Sequence, residues 1–246
     1  MNNILRWIRL KLIPPRYRLA ATYYYLRFSG ILDGEIYIIK ELVKARGIAI
    51  DIGANEGAWS YPLSRIFPRV EAFEPIPDCA AIIKDSGKKN IIAYQVAISS
   101  TDGVKELHIP VFKGKLLTAY ATFGDLEGQY RTMSIPVRRL DDYSFTGVAF
   151  VKIDVEGHEL EVIKGAEATI RREKPVMIVE IEQRHLNFPM AVVFDEIIKF
   201  GYKAFFLYGN HLHPLSDFSY EKHQQQFVDD PFSRDYINNF IFIPDL

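Results

Sequence analysis

The sequence has little cysteine and no long apolar run. Its single cysteine, Cys79, excludes an internal disulfide and a zinc site built from cysteines, and it suits a reducing compartment. No apolar stretch approaches the roughly 20 residues that a membrane-spanning helix needs. A secretory signal is not expected either, because Arg6 interrupts the start and no small-residue cleavage site follows. These absences predict a cytoplasmic protein.

Net charge is nearly absent as well. The formal charge is −1, which gives no general field for nucleic acid, so we expect no nucleic-acid partner. The 246 residues are 48% apolar and 25% charged, a composition typical of a globular protein with a core. That length is sufficient for one large domain.

The charge is unevenly spread. The segment up to Gly30 holds six basic residues and no acidic one, whereas the rest holds 24 basic and 31 acidic residues, a net charge of −7. Leu5, Ile8 and Leu12 share one helical face, and Pro14 ends that helix. This basic arm either rests on an anionic surface, such as the inner face of a membrane, or packs on its own domain. The basic residues are Arg6, Arg9, Lys11, Arg16, Arg18 and Arg27.

From Ile48 onward, apolar runs alternate with amphipathic stretches, which predicts a parallel sheet covered by helices on both faces. We expect residues 1–46 to form a helical arm or cap and residues 47–246 to form the main domain. Strands are predicted at Gly47–Ile52, Val70–Phe73, Ile91–Ile98, Val148–Ile153, Val176–Ile181, Lys203–Tyr208 and Asn239–Ile243. Helices are predicted at Gly57–Ile66, Asp78–Lys84, Glu159–Arg172 and Ala191–Phe200.

Residues 101–142 break this rhythm. The stretches GVKELHIPVF and TMSIPVRRL alternate like half-exposed strands, which predicts a β-hairpin-like insertion with a long loop. Long loops in compact domains often carry function, so the insertion is a candidate lid or acceptor-binding element, or a simple embellishment. Its aromatic residues Tyr120, Phe123 and Tyr130 either stack on sugar rings or form a hydrophobic patch.

The stretch IAIDIGANEG, from Ile48 to Gly57, runs from a buried strand into a glycine turn, which is how α/β proteins build nucleotide pockets. It lacks the three glycines of the dinucleotide fingerprint, and the Walker pattern is absent. Asp51 and Glu56 would repel a pyrophosphate, since two unit charges about 4 Å apart interact by about 4 kcal/mol near a protein surface. Hydride transfer with a dinucleotide is therefore disfavoured.

S-adenosylmethionine suits this turn, because it carries a sulfonium and an ammonium and has no phosphate. Asp51 is expected to hold the amino end and Gly53 to let the backbone approach the ligand. Glu74, at the end of the second strand, is placed to accept the ribose hydroxyls, as in dinucleotide folds. The predicted cofactor residues are Asp51, Gly53, Ala54, Asn55, Gly57, Glu74, Pro75, Ala97 and Ile98, the last two as an apolar wall for adenine.

A cluster of acidic residues follows the fourth and fifth predicted strands, in VKIDVEGHE and VEIEQRH. Such a cluster at one sheet edge is costly unless a cation lies there. The cation is the sulfonium, a divalent metal, or Lys152 and Arg184 nearby. The predicted catalytic residues are Asp154, Glu156, His158 and Glu180.

The segments IDIGANEG, AFEP, VKIDVEGHELEVIKGA and NNFIFIP closely resemble the FkbM family of S-adenosylmethionine-dependent methyltransferases. The resemblance covers roughly residues 47–244 and implies a class I, Rossmann-like fold with seven mostly parallel strands, the last one antiparallel. It implies O-methylation of a hydroxyl on a sugar, a glycolipid or polysaccharide, or a natural product, that is, a small-molecule or glycan acceptor. It also implies that Asp154 and Glu156 face the reaction.

Three mechanisms remain open for the proton of the acceptor hydroxyl. His158 or a carboxylate acts as a base, Asp154 with Glu156 or Glu180 holds Mg²⁺, or the site only positions its substrates. The other histidines show no ligand spacing, and His211 and His213 are expected on a loop.

Other classes fit less well. DNA amino-methyltransferases need an Asn/Asp-Pro-Pro-aromatic turn to grip a flipped base, and IDVEGH stands in its place. Cytosine C5 methylation needs a nucleophilic cysteine, but Cys79 is predicted in a helix away from the sheet edge. Methylation of a nucleic acid, a protein or another small molecule, and a non-catalytic scaffold, remain the alternatives.

Overall fold

The computed structural model describes residues 11–124, 127–230, 233 and 235–245. Within these residues, eight strands form the main sheet in the order β11-β10-β12-β9-β8-β1-β2-β3, and four strands form a second sheet in the order β4-β7-β5-β6. The strands are β1 Ile48–Ile52, β2 Arg69–Phe73, β3 Ile91–Tyr94, β4 Ala97–Ile98, β5 Gly103–Phe112, β6 Lys115–Leu116, β7 Tyr130–Arg138, β8 Val148–Ile153, β9 Val176–Glu180, β10 Tyr202–Tyr208, β11 His211–Pro214 and β12 Asn239–Pro244.

Eight α-helices accompany them in the described part of the chain. They are α1 Pro15–Phe28, α2 Ile39–Leu42, α3 Ser60–Ile66, α4 Pro77–Lys84, α5 Glu159–Gly165, α6 Glu167–Glu173, α7 Ala191–Ile198 and α8 Tyr220–His223. None of these helices is long and apolar enough to cross a bilayer.

The predicted fold is confirmed. β1, β2, β3, β8 and β9 pair in parallel, whereas β12 runs antiparallel between β9 and β10. β8, at the centre, is buried along its whole length, as a strand covered by helices on both faces must be. The carboxyl ends of the central strands therefore meet at one edge, where α/β sheets bind ligands.

The eighth strand of the main sheet contradicts the loop expected at His211 and His213. β11 pairs antiparallel with β10, with Tyr208 opposite His211. Gly209 and Asn210 between them have φ angles of 55° and 65°, the two positive values that a tight hairpin turn requires. The Gly-Asn pair in the sequence was thus a hairpin signal.

Two predicted elements are interrupted. The strand expected at Ile91–Ile98 ends at Tyr94, because Ala97 and Ile98 pair with β7 of the second sheet instead. The helix expected at Glu159–Arg172 is divided into α5 and α6. A Cβ at Gly165 would lie 1.9 Å from the Ser99 carbonyl oxygen. The backbone just after β4 therefore lies against the chain at the point where α5 ends.

The insertion forms the predicted antiparallel hairpin. β5 and β7 pair from Gly103 opposite Val137 to Pro110 opposite Tyr130. A bridge between His108 and Thr122 folds the connecting loop back onto this pair. Leu107, Ile109, Ile135 and Val137 pack in one small cluster with Ile76 and Cys79, which joins the insertion to the main domain.

The segment before β1 packs on the domain. Leu19 of α1 is buried, and a Cβ at Gly57 would lie 2.2 Å from its Cδ1 atom. The Trp59 indole N–H donates to Asp33 Oδ2 at 2.7 Å, which fixes the chain between α1 and β1. The predicted helix containing Leu5 and Ile8 lies outside the described residues.

Candidate active site

A cavity of about 1200 Å³ lies at the carboxyl ends of the central strands. The turn after β1, the end of β2 and the segments after β8 and β9 form its floor. Residues 29–35 and 118–121, from the amino-terminal segment and the insertion, complete its wall. Two elements that the sequence left without a definite role thus enclose the cavity.

The ends of β1, β2 and β8 come close together at the glycine turn that follows β1. Gly53 has a φ of +81°, and a Cβ there would lie 1.7 Å from the Asp154 carbonyl oxygen. Its N–H donates to the Phe73 carbonyl oxygen at 2.9 Å. Asn55 also has a positive φ, of 46°. Both Gly53 and Asn55 line the cavity, so the turn offers backbone that a ligand can approach closely.

Glu74 lies where the ribose hypothesis placed it, at the end of β2 on the cavity wall. Its Oε2 atom accepts the Asn55 N–H at 2.8 Å and its Oε1 atom accepts the Ile76 N–H at 2.7 Å. Burial raises the pKa of Glu74 to about 7, although both backbone hydrogen bonds oppose that shift. Each carboxylate oxygen keeps a second lone pair, so Glu74 organises the turn and still presents acceptors.

Asp51, Ala54 and Gly57 belong to the same turn but do not line the cavity. Asp51 is 1% exposed and accepts a hydrogen bond from the Ser60 hydroxyl at 2.5 Å. Burial raises its pKa to about 6. Gly57 gives room to Leu19 of α1. These three residues therefore support the turn on the side that faces away from the cavity.

The predicted adenine wall does face the cavity. Ala97, Ile98 and Pro75 line it together with Ile76. Ala97 and Ile98 are held there by their pairing with β7, not by the main sheet. The insertion therefore fixes this apolar wall.

The negative charges of Asp154 and Glu180 are partly offset by the buried ammonium group of Lys152. Lys152 is fully buried, and its Nζ atom lies 3.6 Å from Asp154 Oδ2 and 3.8 Å from Glu180 Oε2. The same ammonium donates to Asn239 Oδ1 at 3.1 Å. Burial alone would lower the pKa of Lys152, but Asp154 and Glu180 outweigh it and raise that pKa, so Lys152 stays charged.

Glu156 lies on the cavity wall beside a histidine. It has a φ of +51°, an uncommon conformation for a residue other than glycine and one found at functional sites. Thr122 of the insertion donates to its carbonyl oxygen at 2.6 Å. Its Oε2 atom lies 3.0 Å from His185 Nε2, yet neither buried atom makes a well-directed hydrogen bond. Burial raises the pKa of Glu156.

His185 shows no ligand spacing in the sequence, yet it lies beside two carboxylates in the structure. Burial would lower its pKa, but Glu156 at 3.0 Å and Glu182 at 3.8 Å raise it above the ordinary value. No spacing signal pairs Glu156 with His185, because they lie on segments after different strands. The close contact of Gly157 with the His185 carbonyl oxygen, where a Cβ would lie at 2.4 Å, brings these segments together.

His158 lines the cavity as predicted, but its surroundings make it a weak base. Its Nε2 atom lies 3.0 Å from the Ser99 hydroxyl, and its ring packs on Phe123 with centroids 4.8 Å apart. Burial, with a smaller contribution from Lys105, lowers the pKa of His158 to about 4. The imidazole is therefore neutral near pH 7 and has little tendency to take a proton.

Further cavity residues escaped the sequence analysis. Asp33 and Glu35 enter from the amino-terminal segment, whereas Tyr236 enters from the loop before β12. Glu182 also lines the cavity, accepts a hydrogen bond from the Tyr236 hydroxyl and lies 2.7 Å from Arg184 Nε. Of the predicted aromatic residues, Tyr120 and Phe123 line the cavity. Tyr130 instead packs on His108.

Among the residues that the structure describes, two groups of side chains could hold a cation, and both include Glu156. One is Asp154, Glu156 and Glu180, and the other is Glu156, Glu182 and His185. The first group already has Lys152 on its buried side.

A family model decides the identity of the domain. The model described as the methyltransferase FkbM domain matches residues 51–206, well over half of the chain. The chain belongs to the FkbM methyltransferase family. That family is one of S-adenosylmethionine-dependent methyltransferases, as the resemblance implied.

A solved structure supports the fold. A methyltransferase FkbM from Methylobacillus flagellatus is 17% identical, with a TM-score of 0.53, over 92% of this chain and 52% of that one. This chain thus spans about half the length of that relative. A TehB-like SAM-dependent methyltransferase from Corynebacterium glutamicum is 13% identical, with a TM-score of 0.49, over 94% of this chain and 98% of that one. No curated protein sequence matches the chain.

The residues present suit the methyl donor of the FkbM family. A Cβ at Gly53 would collide with the Asp154 carbonyl oxygen, so glycine keeps the backbone of the turn at the cavity wall. Among the described residues, eight carboxyl side chains and two arginines line the cavity, an excess of negative charge that favours a cationic ligand. The acids are Asp33, Glu35, Glu74, Asp154, Glu156, Glu180, Glu182 and Asp235.

Proposed function

We propose that this FkbM methyltransferase methylates a hydroxyl group of a sugar, a glycolipid or polysaccharide, or a natural product. The observation that carries the proposal is the Glu156–His185 pair, a partly buried carboxylate on the cavity wall with its Oε2 atom 3.0 Å from an imidazole nitrogen. An alkyl hydroxyl is a poor nucleophile until a base removes its proton. A carboxylate whose pKa is raised by burial is the better base for that step.

The size and lining of the cavity support a polar acceptor. Its volume of about 1200 Å³ exceeds the range of about 300–1,000 Å³ for pockets that hold one drug-sized ligand. The cavity thus has room for an acceptor beside the donor. Tyr120, Phe123 and Tyr236 add flat apolar surface among carboxylates, a combination that suits a ring bearing hydroxyl groups.

When bound, S-adenosylmethionine would supply a methyl group from its sulfonium to the acceptor oxygen, with the sulfur–carbon bond breaking as the oxygen–carbon bond forms. Gly53 and Glu74 position the donor, and Ala97 and Ile98 cover its apolar face. Glu156 takes the hydroxyl proton at a carboxylate oxygen. His185 lies 3.0 Å from that carboxylate and lowers its pKa, and the insertion forms part of the wall around the site.

Proton removal by Glu156 accounts for the chemistry without a metal. Mg²⁺ prefers several oxygen ligands and keeps part of its water shell. At Asp154, Glu156 and Glu180 it would lie close to the Lys152 ammonium, which already contacts two of these acids. We therefore expect turnover to persist after chelation of divalent ions, and loss of turnover with recovery on adding Mg²⁺ would favour the metal mechanism.

The test of the proposal is methyl transfer from radiolabelled donor to a panel of glycans, glycolipids and small hydroxyl compounds. Glu156→Gln should lower kcat at least about 100-fold, the contribution typical of a general base, and leave donor affinity unchanged. Glu106→Gln, at an exposed position on β5, is the matched control. The product should resist mild alkali, as methyl ethers do and methyl esters do not.

The pH dependence separates proton transfer from a structural effect. Glu156 must be ionised to act, so kcat should fall as the pH drops through its raised pKa. His185 lowers the pKa of Glu156, and His185→Gln should therefore move this acidic limb to higher pH. An unchanged limb, or equal kcat for Glu156→Gln and wild type, would remove the pair from the mechanism. Donor binding without transfer to any acceptor would instead favour the scaffold alternative.

A further inference from the structure

Helix α1 has an aromatic outer face. Tyr17, Tyr24 and Phe28 lie seven and four residues apart, which places them on one side of the helix. Phe28 is 83% exposed and Tyr17 is 51% exposed, whereas Leu19 and Tyr23 on the opposite side are buried against the domain. We call Tyr17, Tyr24 and Phe28, with exposed Leu12 and Ile31 at the two ends, the aromatic face.

Cationic side chains border the aromatic face. Arg16 lies over the Tyr17 ring, 4.7 Å from its centroid. Arg65 of α3 reaches the Tyr24 hydroxyl at 3.4 Å. Lys88 lies over Tyr61, whose ring packs against Tyr24. The sequence up to Gly30 holds six basic residues, Arg16 among them, and no acidic one.

The same segment forms part of the cavity wall. Arg27 and Ile31 are exposed to solvent and also line the cavity. Tyr37, which is 55% exposed, does the same. The aromatic face therefore continues onto the cavity mouth. A surface that the face touches would lie beside the entrance of the acceptor.

We infer that the aromatic face docks on an anionic lipid bilayer. Helices that lie in a membrane interface combine aromatic and aliphatic side chains on one side with basic residues at the flanks. Tyrosine is among the residues enriched at the headgroup level. The basic border complements anionic headgroups, each Lys or Arg near such a surface contributing about 1 kcal/mol to binding, or roughly fivefold in affinity. This docking does not depend on the chemistry of methyl transfer.

The location of the face also narrows the acceptor, and this part rests on the proposed function. A hydroxyl compound anchored in the bilayer would meet the cavity mouth without leaving the membrane. The structure thus favours an acceptor carried on a lipid over a freely diffusing sugar.

The test is sedimentation of the full chain with vesicles of phosphatidylcholine alone or with phosphatidylglycerol added. Wild type should bind the anionic vesicles, and binding should weaken as salt rises. The double variant Phe28→Ser, Arg16→Glu should bind at least about tenfold more weakly, since it loses an apolar anchor and reverses a charge. Phe112→Ser, Lys113→Glu on the insertion is the matched control, because Phe112 is also exposed, at 60%.

Several results would overturn the inference. These are equal binding to both vesicle types, equal binding of the two double variants, and no binding by wild type. Binding lost on deletion of residues 1–10 but retained in the Phe28→Ser, Arg16→Glu variant would assign the contact to the leading segment. A dimer that this variant disperses, without vesicle binding, would assign the face to a second copy of the chain.

Donor binding, measured by calorimetry in the absence of vesicles, should be the same for both double variants and wild type. This measurement keeps the two proposals separate. Failure of docking with intact donor binding and turnover refutes only the membrane surface. Failure of turnover with intact docking refutes only the acceptor chemistry.

Discussion

The charge of Glu35 should destabilise the protein while the cavity is empty. Glu35 lies in the turn Gly34–Tyr37, is 8% exposed and lines the cavity. Burial, and next the nearby Asp33, raise its pKa from 4.5 to about 7. The same negative charge should attract a cationic donor. Glu35→Gln is therefore expected to stabilise the empty protein and to weaken donor binding.

The sign and size follow from the pKa shift. The folded chain binds the Glu35 proton more tightly than the unfolded chain, so this stabilisation is complete below about pH 4.5 and is lost as the pH rises toward 7. One pKa unit corresponds to about 1.4 kcal/mol. Glu35→Gln should thus raise the free energy of unfolding by up to about 3 kcal/mol at pH 8, and by less than about 1 kcal/mol at pH 5.

Urea unfolding at the two pH values measures this difference. Glu41→Gln, an exposed change on α2, is the matched control and should have little effect at either pH. Comparing variant with wild type at each pH cancels the other groups that titrate. If Glu35→Gln changes the free energy of unfolding equally at pH 5 and pH 8, Glu35 does not carry the buried charge.

Two other variants test the floor of the cavity. Gly53→Ala should abolish donor binding and lower thermal stability, because its Cβ would lie 1.7 Å from the Asp154 carbonyl oxygen; normal donor affinity in calorimetry would show that the turn tolerates a side chain. Lys152→Met should cost about 3–5 kcal/mol in urea unfolding, since it leaves buried acids without their cation, and adding Glu180→Gln should recover part of that loss. A Lys152→Met variant as stable as wild type would show that Asp154 and Glu180 do not depend on this cation.

The sheet was predictable because its strands are nearly uniform apolar runs. The run Val148–Ile153 is one such strand and is buried along its whole length. Its carboxyl end therefore lies at the sheet edge where the cavity is. The glycine turn and Glu74 followed from the same logic, since strand-end acids and glycines have few other purposes there. What the local pattern could not give was long-range pairing. Ala97 and Ile98 read as the end of one strand, but they pair with β7, about 40 residues later.

The histidine beside the candidate base was missed for the same reason. His158 is next to the acidic cluster in sequence, and proximity along the chain favoured it. His185 is 29 positions from Glu156, yet Gly157 lets the two segments touch. The two imidazoles differ in their surroundings. His158 is buried and lies beside the Ser99 hydroxyl, whereas His185 contacts two carboxylates. These differences in surroundings arise from tertiary contacts, which the spacing of residues in the sequence does not reveal.

The cap was the least predictable part. Asp33 enters the cavity because its carboxylate accepts the Trp59 indole N–H at 2.7 Å, and no periodicity links these two residues. The basic composition of the amino-terminal segment was visible in the sequence. Its contact through Leu19 with Gly57 gave that glycine a packing role in place of the expected ligand role.

A crystal structure of the complex with S-adenosylhomocysteine tests the central claim most directly. The ribose hydroxyls should lie within hydrogen-bond distance of Glu74, the adenine between Ile76 and Ile98, and the sulfur on the side of the cavity that Glu156 lines. A ligand bound away from Gly53 and Glu74, or one whose sulfur points away from Glu156, would contradict the assignment of this cavity as the site of methyl transfer.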